Sequence, residues 1–209
     1  SSDLQTPDTM KYKVPILLIY LRLVTGLLVL ILAVVFPSYR MAMSILIGIG
    51  LVSDIFDGII ARRLNISSQK LRRLDSLADQ IFWILIAIAC YLLSPIFFSD
   101  NINFIILLVL SELMIYAISY LKFRKEVATH AIASKIWTLV LAATLIELIY
   151  TSNSHLLFQI CFYLGIVTRL EIIAILLLLK KWTADVPSVY HAILIRNNLP
   201  IKRNKLFNG

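Results

Sequence analysis

Residues 54–79 read DIFDGIIARRLNISSQKLRRLDSLAD and lie between two long apolar runs. Four carboxylates stand in this stretch, at the end of one run and at the start of the next: Asp54, Asp57, Asp75 and Asp79. On insertion scales a charge at the centre of a spanning helix costs about 2.5–3.5 kcal/mol. Ionisable residues in such segments therefore indicate a functional site by default, and we expect these four acids to form it.

The composition is typical of an integral membrane protein. The 209 residues are 60% hydrophobic, whereas a soluble domain is about 45–50% apolar, and the mean hydropathy is +0.88. We therefore predict an all-α polytopic membrane protein with six transmembrane helices in one domain of residues 14–182, after an N-terminal tail of residues 1–13. Met10 is a candidate native start, so residues 1–9 are left out of the fold prediction. The six apolar segments, each near the ~20 residues that a bilayer core needs, are 14–36, 41–61, 77–97, 102–121, 132–150 and 156–180.

Basic residues concentrate in the two tails and in two of the connections, 62–76 and 122–131, whereas the other three connections contribute only Arg40. By the positive-inside rule, both termini, both basic loops and the four acids lie on the cytoplasmic side. We expect a bacterial inner membrane. The net charge of +8 is expected to face anionic lipid headgroups and not nucleic acid, because little soluble surface is left to carry it.

The last part of the chain, residues 183–209, differs from the apolar segments. Asp185 can cap a short amphipathic helix that has Pro187 in its first turn, and a basic tail follows. This helix either lies on the membrane interface or packs against the helical bundle. Cys90 and Cys161 both fall inside apolar runs and are interpreted as small buried hydrophobic residues.

The spacing of the four acids favours a metal site. Asp54 and Asp57 are three residues apart, and Asp75 and Asp79 are four apart, so each pair shares a helix face. If the second and third segments pack as antiparallel neighbours, both pairs can converge. Four carboxylates in a low-dielectric cleft need compensation, and an all-oxygen ligand set suits Mg²⁺ or Mn²⁺.

Two such ions would bind a diphosphate and orient an in-line displacement. Arg62 and Arg63 could hold phosphate oxygens, and Gly58 would permit close backbone approach to a ligand. The alternative is that the acids only pair with arginines 62, 63, 72 and 73 across the loop. Two rival functions stay open: an aspartate-rich membrane prenyltransferase, and a cation transporter, which would place its acids near the bilayer midplane.

The motif resembles the signature of the CDP-alcohol phosphatidyltransferase family, D-x2-D-G-x2-A-R-x8-G-x3-D-x3-D. Leu71 stands where the family has its second glycine, close to the bound nucleotide. Weaker matches are Pro15 with Arg22, similar to the family's P-N-x-L-T-x-x-R, and residues 134–138 (SKIWT), similar to its G-K-x-x-T. The residues in register are Asp54, Asp57, Gly58, Ala61, Arg62, Asp75 and Asp79.

This resemblance implies a fold and a role for each residue of the motif. Family members have six membrane helices and commonly pair as homodimers. All four acids would ligand metal, with Asp79 shared and also acting as the general base. Gly58, Ala61 and Arg62 would face the CDP group, and Leu71 would change the shape of the cytidine pocket. The acceptor alcohol would attack the β-phosphorus of CDP-diacylglycerol, and CMP would leave.

Candidate residues for the acceptor lie outside the motif. Lys135, at the start of the fifth segment, and Arg169, inside the sixth, are candidates for binding a phosphorylated alcohol such as glycerol 3-phosphate or inositol phosphate. His130 is a third candidate, although it also fits a plain loop histidine. For Arg169, an ion pair with Glu112 or with an active-site acid is an equal alternative, because a charge inside a spanning helix needs a partner.

Overall fold

The structure is a computed structural model and describes residues 7–63, 69–125, 132–184 and 186–199. Within these ranges the chain is all-helical and has no strand. The side chains of residues 7–13, 57, 58, 61–63, 69, 70, 72 and 132 lie outside the description. The helices are α1 (Pro7–Val35), α2 (Arg40–Arg63), α3 (Gln69–Leu93), α4 (Pro95–Asp100), α5 (Ile102–Phe123), α6 (Ile132–Thr151), α7 (Leu156–Leu178) and α8 (Val189–Arg196).

The all-α polytopic membrane fold is confirmed. Helix α2 has 24 residues, enough to cross a bilayer core about 30 Å thick. Its carboxyl end includes side chains outside the described part, so its role as the sixth span stays a prediction. The helices that are long and apolar enough to span contain Val14–Val35, Arg73–Leu93, Ile102–Phe123, Ala133–Thr151 and Leu156–Leu178.

Some helix boundaries differ from the prediction. Helix α1 begins at Pro7 and α3 at Gln69, although their candidate spans begin at Val14 and Arg73, at or near the predicted residues 14 and 77. Both helices continue into polar residues, which a search for apolar runs leaves out. Helix α3 ends at Leu93 instead of residue 97, because Pro95 has no N–H to donate and disfavours helical backbone at Ser94.

The chain divides into two compact units. The first comprises Ser1–Phe97 and Leu145–Asn153, and the second comprises Phe98–Thr144 and Ser154–Gly209. In the first unit α1 packs along both α2 and α3, whereas α2 and α3 contact each other only over a short stretch. The condition for convergence, that α2 and α3 are neighbours, is met over this short stretch, and each of the two helices packs more extensively on α1. The predicted catalytic domain of residues 14–182 stays a prediction.

Helices α1, α2 and α3 meet at Phe82 in the first unit, and the side chain of this residue is fully buried. A Cβ atom added to Gly50 of α2 would lie 2.3 Å from Phe82 Cζ, and one added to Gly26 of α1 would lie 3.0 Å from Phe82 Cδ2. The ring thus occupies space at Gly50 that a Cβ atom could share only after a shift, and it packs tightly against Gly26. Cys90 is buried in this unit and Cys161 in the second one, as predicted.

In the second unit α7 packs against α5 and α8. The ammonium group of Lys122 donates hydrogen bonds to the carbonyl oxygens of Leu176 (2.9 Å) and Leu177 (2.7 Å). These carbonyls lie in the last turn of α7, where helical partners are lacking and where a cation interacts favourably with the helix dipole. Lys122 therefore caps α7 from α5.

The carboxyl-terminal helix α8 docks on α7. Its Ala192 joins Ile175, Leu179 and Val186 in a buried apolar cluster, so the packing alternative is the one that the structure shows. The predicted start of this helix was wrong: α8 begins at Val189, and Ser188 is its N-cap residue. Asp185, which had been predicted to cap it, lies outside the described residues.

Candidate functional site

Three of the four predicted metal ligands converge in the first unit. Asp54 comes from α2, and Asp75 and Asp79 come from successive turns of α3. One carboxylate oxygen from each lies within 4.8 Å of the others, and each side chain is 34% exposed. The three acids therefore form a cluster that is half-buried yet accessible.

Arg22 of α1 occupies the centre of this cluster. Its side chain is 0% exposed; its Nη2 lies 3.2 Å from Asp54 Oδ1, and its Nη1 lies 3.1 Å from Asp75 Oδ1. The same Nη1 atom also pairs with Asp79 Oδ1. A single guanidinium thus contacts carboxylates from both α2 and α3.

The packing of α1 explains how one side chain reaches both helices. Because α1 is the shared neighbour of α2 and α3, a residue on its inner face lies between them. Next to the cluster, Ser53 Oγ donates a hydrogen bond to the carbonyl oxygen of Leu18 (2.9 Å). Thr25 Oγ1 donates to the carbonyl oxygen of Arg22 itself (2.9 Å). The Ser53 hydrogen bond therefore joins α2 to α1 beside the cluster, whereas the Thr25 hydrogen bond lies within α1.

The cluster suits a hard divalent cation. Its described ligands are all carboxylate oxygens, which Mg²⁺ and Mn²⁺ prefer, and the short distances between them would be unfavourable without positive charge. Arg22 supplies one positive charge and leaves two negative charges on the three acids. These residues therefore fit the predicted type of metal. The alternative was that the acids pair only with arginines 62, 63, 72 and 73 of the loop. Arg22, which pairs with three of the acids, was not among those partners.

Leu71 lies in the first turns of α3, on the face that meets α1. It is 7% exposed and packs in an apolar cluster with Ile19 and Ala78, with Leu23 against it. The leucine that stands at the position of a family glycine is thus part of the contact between α3 and α1. Asp75 follows one turn later, so this packing supports the position of a cluster acid.

Several predicted site residues lie outside the description. Asp57, Gly58, Ala61 and Arg62 belong to helix α2, but only their backbone is described. His130 lies outside the described residues altogether. Their predicted roles stay predictions.

The second unit contains the other two acceptor candidates. The Arg169 side chain is 8% exposed, and its Nη2 lies 3.2 Å from Glu112 Oε2. Its guanidinium carbon lies 4.2 Å from the centre of the Trp137 ring, and Nη1 donates to the carbonyl oxygen of Gly165 (3.2 Å). Of the alternatives for Arg169, the ion pair with Glu112 is therefore the one that the structure shows. Lys135 is exposed near the start of α6.

Arg22 is the site residue to which the sequence prediction gave no role. Two signals pointed to it: a charge inside an otherwise apolar span, and its place in the weak P…R match of the first segment. Its contacts with three acids on two other helices had no counterpart in the sequence pattern.

Comparison with known families gives one match. The sequence model described as CDP-alcohol phosphatidyltransferase matches residues 12–177, a range that includes Arg22 and the three converging acids. Comparison with curated proteins and with solved structures gives no match.

Proposed function

Since the chain belongs to the CDP-alcohol phosphatidyltransferase family, we propose that it transfers the phosphatidyl group of CDP-diacylglycerol to the hydroxyl group of an alcohol and releases CMP. Membership of the family makes the protein a membrane phosphotransferase that transfers a phosphatidyl group from a CDP-alcohol to an acceptor. The choice of CDP-diacylglycerol as donor is part of the proposal. It is supported by an acid cluster that lies among helices long and apolar enough to cross a membrane, where a lipid-anchored diphosphate would be found.

The convergence of Asp54, Asp75 and Asp79 is the observation that carries this function. Together with Asp57, these acids would hold Mg²⁺ or Mn²⁺, and we propose two ions. Metal bound there would neutralise the diphosphate charge and orient it for in-line displacement. In the resemblance, Gly58, Ala61 and Arg62 face the CDP group, and we assign them to the donor.

Asp79 is proposed as the general base. Its carboxylate takes the proton from the acceptor hydroxyl group as that oxygen forms a bond to the β-phosphorus. The bond between the β-phosphorus and the bridging oxygen breaks, and CMP leaves with that oxygen. The partial exposure of Asp79 supports this role, because the base must reach an acceptor that arrives from water.

We propose a phosphorylated acceptor, of the glycerol 3-phosphate or inositol phosphate type. Lys135 is the stronger candidate for its phosphate, because this side chain is exposed near the start of α6. His130 is a second candidate. Arg169 is the weaker one, since Glu112 and Trp137 already engage its guanidinium.

The remaining parts of the proposal concern assembly and location. The charge distribution supports a cytoplasmic site and cytoplasmic termini in a bacterial inner membrane, with the basic tails against anionic lipids. The family resemblance supports a homodimer. Cross-linking of the purified protein in nanodiscs would test the dimer, and labelling of cysteines introduced into the tails would test the orientation.

The function is tested by supplying CDP-diacylglycerol and Mg²⁺ with a panel of acceptors: glycerol 3-phosphate, inositol phosphate, inositol, serine and phosphatidylglycerol. We expect CMP release with one acceptor and a matching lipid product by mass spectrometry. Omission of metal should stop the reaction. Binding of the CDP-lipid without CMP release from any acceptor would contradict the transferase. Transfer from a prenyl diphosphate, or cation flux into vesicles, would favour one of the rival functions.

A further inference from the structure

Arg22 is placed where a charge needs strong compensation. It lies in the apolar span of α1, within Val14–Val35, and its side chain is fully buried. Removing a guanidinium from water is strongly unfavourable unless acids and hydrogen bonds replace the lost solvation. The three cluster acids supply that compensation, so the position of Arg22 depends on them.

The three acids in turn depend on Arg22. Asp54, Asp75 and Asp79 bring three negative charges within 4.8 Å, on two helices that have few contacts with each other. Without nearby positive charge, their mutual repulsion would act to separate α2 from α3. A cation that reaches both helices from α1 removes this repulsion.

We propose that Arg22 is the internal counter-cation of the carboxylate cluster: it holds the three acids together when no divalent metal is bound and competes with metal for their oxygens. This inference rests on the proposed function for the presence of a metal site. Arg22 acts through the acids and is a positioning residue. Because it neutralises only part of the cluster charge, the metal-free protein is stable while the acids still attract a divalent cation.

The first test compares thermal unfolding of detergent-purified wild type and Arg22→Met, in EDTA and in saturating MgCl₂. Arg40→Met is the matched control, since Arg40 belongs to the same unit and donates to the Tyr150 carbonyl oxygen away from the acids. We expect the Tm of Arg22→Met in EDTA to fall by about 10 °C. Most of this loss should return with Mg²⁺.

The rise in Tm on adding Mg²⁺ should be equal in wild type and Arg40→Met, and smaller in both than in Arg22→Met. An Mg²⁺ shift in Arg22→Met no larger than that of wild type would overturn the inference. So would a lower affinity of this variant for Mg²⁺, measured by titration of the Tm, because a competing cation has been removed.

A second variant separates charge from packing. Arg22→Met combined with Asp75→Asn removes one positive and one negative charge together. We expect its Tm in EDTA to recover at least about half of the loss seen in Arg22→Met, and Arg22→Lys to lie closer to wild type than Arg22→Met does. If Arg22 only filled space, Asp75→Asn would not repair the loss, and additive destabilisation in the double variant would overturn the proposal. Where Arg22→Met does not fold in EDTA, it is purified in Mg²⁺ and compared with the double variant after chelation.

These measurements do not depend on turnover. If wild type releases no CMP while the charge-balanced double variant recovers stability, the proposed function fails and the counter-cation role holds. If wild type releases CMP while Arg22→Met responds to Mg²⁺ as wild type does, the counter-cation role fails and the function holds.

Discussion

Replacing Gly50 by alanine should disturb the site from one helical turn away. The new Cβ atom would lie 2.3 Å from Phe82 Cζ and 2.4 Å from Phe82 Cε2, whereas carbon atoms pack at about 3.5–4.0 Å. The helices must therefore separate by about 1.2 Å, or the ring must move. Phe82 is fully buried, so a movement of its ring must also displace the residues packed around it.

The expected cost follows from this overlap. Overpacking of a buried contact destabilises by about 1–3 kcal/mol, which corresponds to a Tm lower by roughly 3–10 °C for a chain of this length. Asp54 lies four residues after Gly50, and Asp79 lies three residues before Phe82. A shift of α2 from α3 therefore moves the cluster acids, and a misplacement of about 1 Å can lower turnover about 10²-fold.

Gly48→Ala is the matched control, because nothing lies within 4 Å of the Cβ atom that it would add. That variant should keep its activity and be unchanged or up to about 1 kcal/mol more stable, since alanine is the better helix former. The assays are thermal unfolding and CMP release. Equal Tm and activity in Gly50→Ala and Gly48→Ala would refute the reasoning. Phe82→Leu should partly rescue Gly50→Ala by removing the ring atoms that clash.

Three further predictions concern individual site residues. Asp79→Asn should keep nucleotide binding but lower CMP release by about 10²-fold or more; full activity would remove Asp79 as the base. Leu71→Gly should lower stability by about 3–5 kcal/mol in thermal unfolding and preserve or tighten cytidine-nucleotide binding. A large loss of binding in the folded variant would show that the pocket is built around the leucine. Arg169→Met should destabilise the protein, Glu112→Gln should partly restore it, and the KM for the acceptor should stay unchanged; a KM raised by about tenfold would return Arg169 to the acceptor site.

The helical fold was largely predictable because the membrane restricts the alternatives. Backbone groups in hydrocarbon must be satisfied internally, so each long apolar run could be interpreted as a helix. Helix boundaries were predicted poorly where features other than hydropathy determine them. The start of α3 at Gln69 lies among charged residues that hydropathy excludes. The break at Ser94, by contrast, could have been predicted from Pro95.

The sequence predicted only those features of the site that depend on residue spacing within one helix. Asp75 and Asp79 had to share a face of α3, and Asp54 had to lie on α2. The partner that joins them, Arg22, is on a third helix, and no periodicity within α2 or α3 refers to it. For Arg169 the chain offered more than one acid, and only the packing of α5 on α7 selects Glu112.

The geometry of the site depends on three helices, although the characteristic motif lies on two. One turn of helix rises about 5.4 Å, and on each helix a packing residue stands one turn from a site residue: Gly26 follows Arg22, Gly50 precedes Asp54, and Phe82 follows Asp79. Gly26 and Gly50 both lie against the Phe82 ring, and Asp54 and Asp79 both pair with the Arg22 guanidinium. Because each packing residue lies one helical turn from a site residue, the contacts of Gly26 and Gly50 with Phe82 set the distance between α2 and α3 at the acids. The motif acids alone therefore do not determine the site, and substitutions in α1 should affect it as directly as substitutions in the motif.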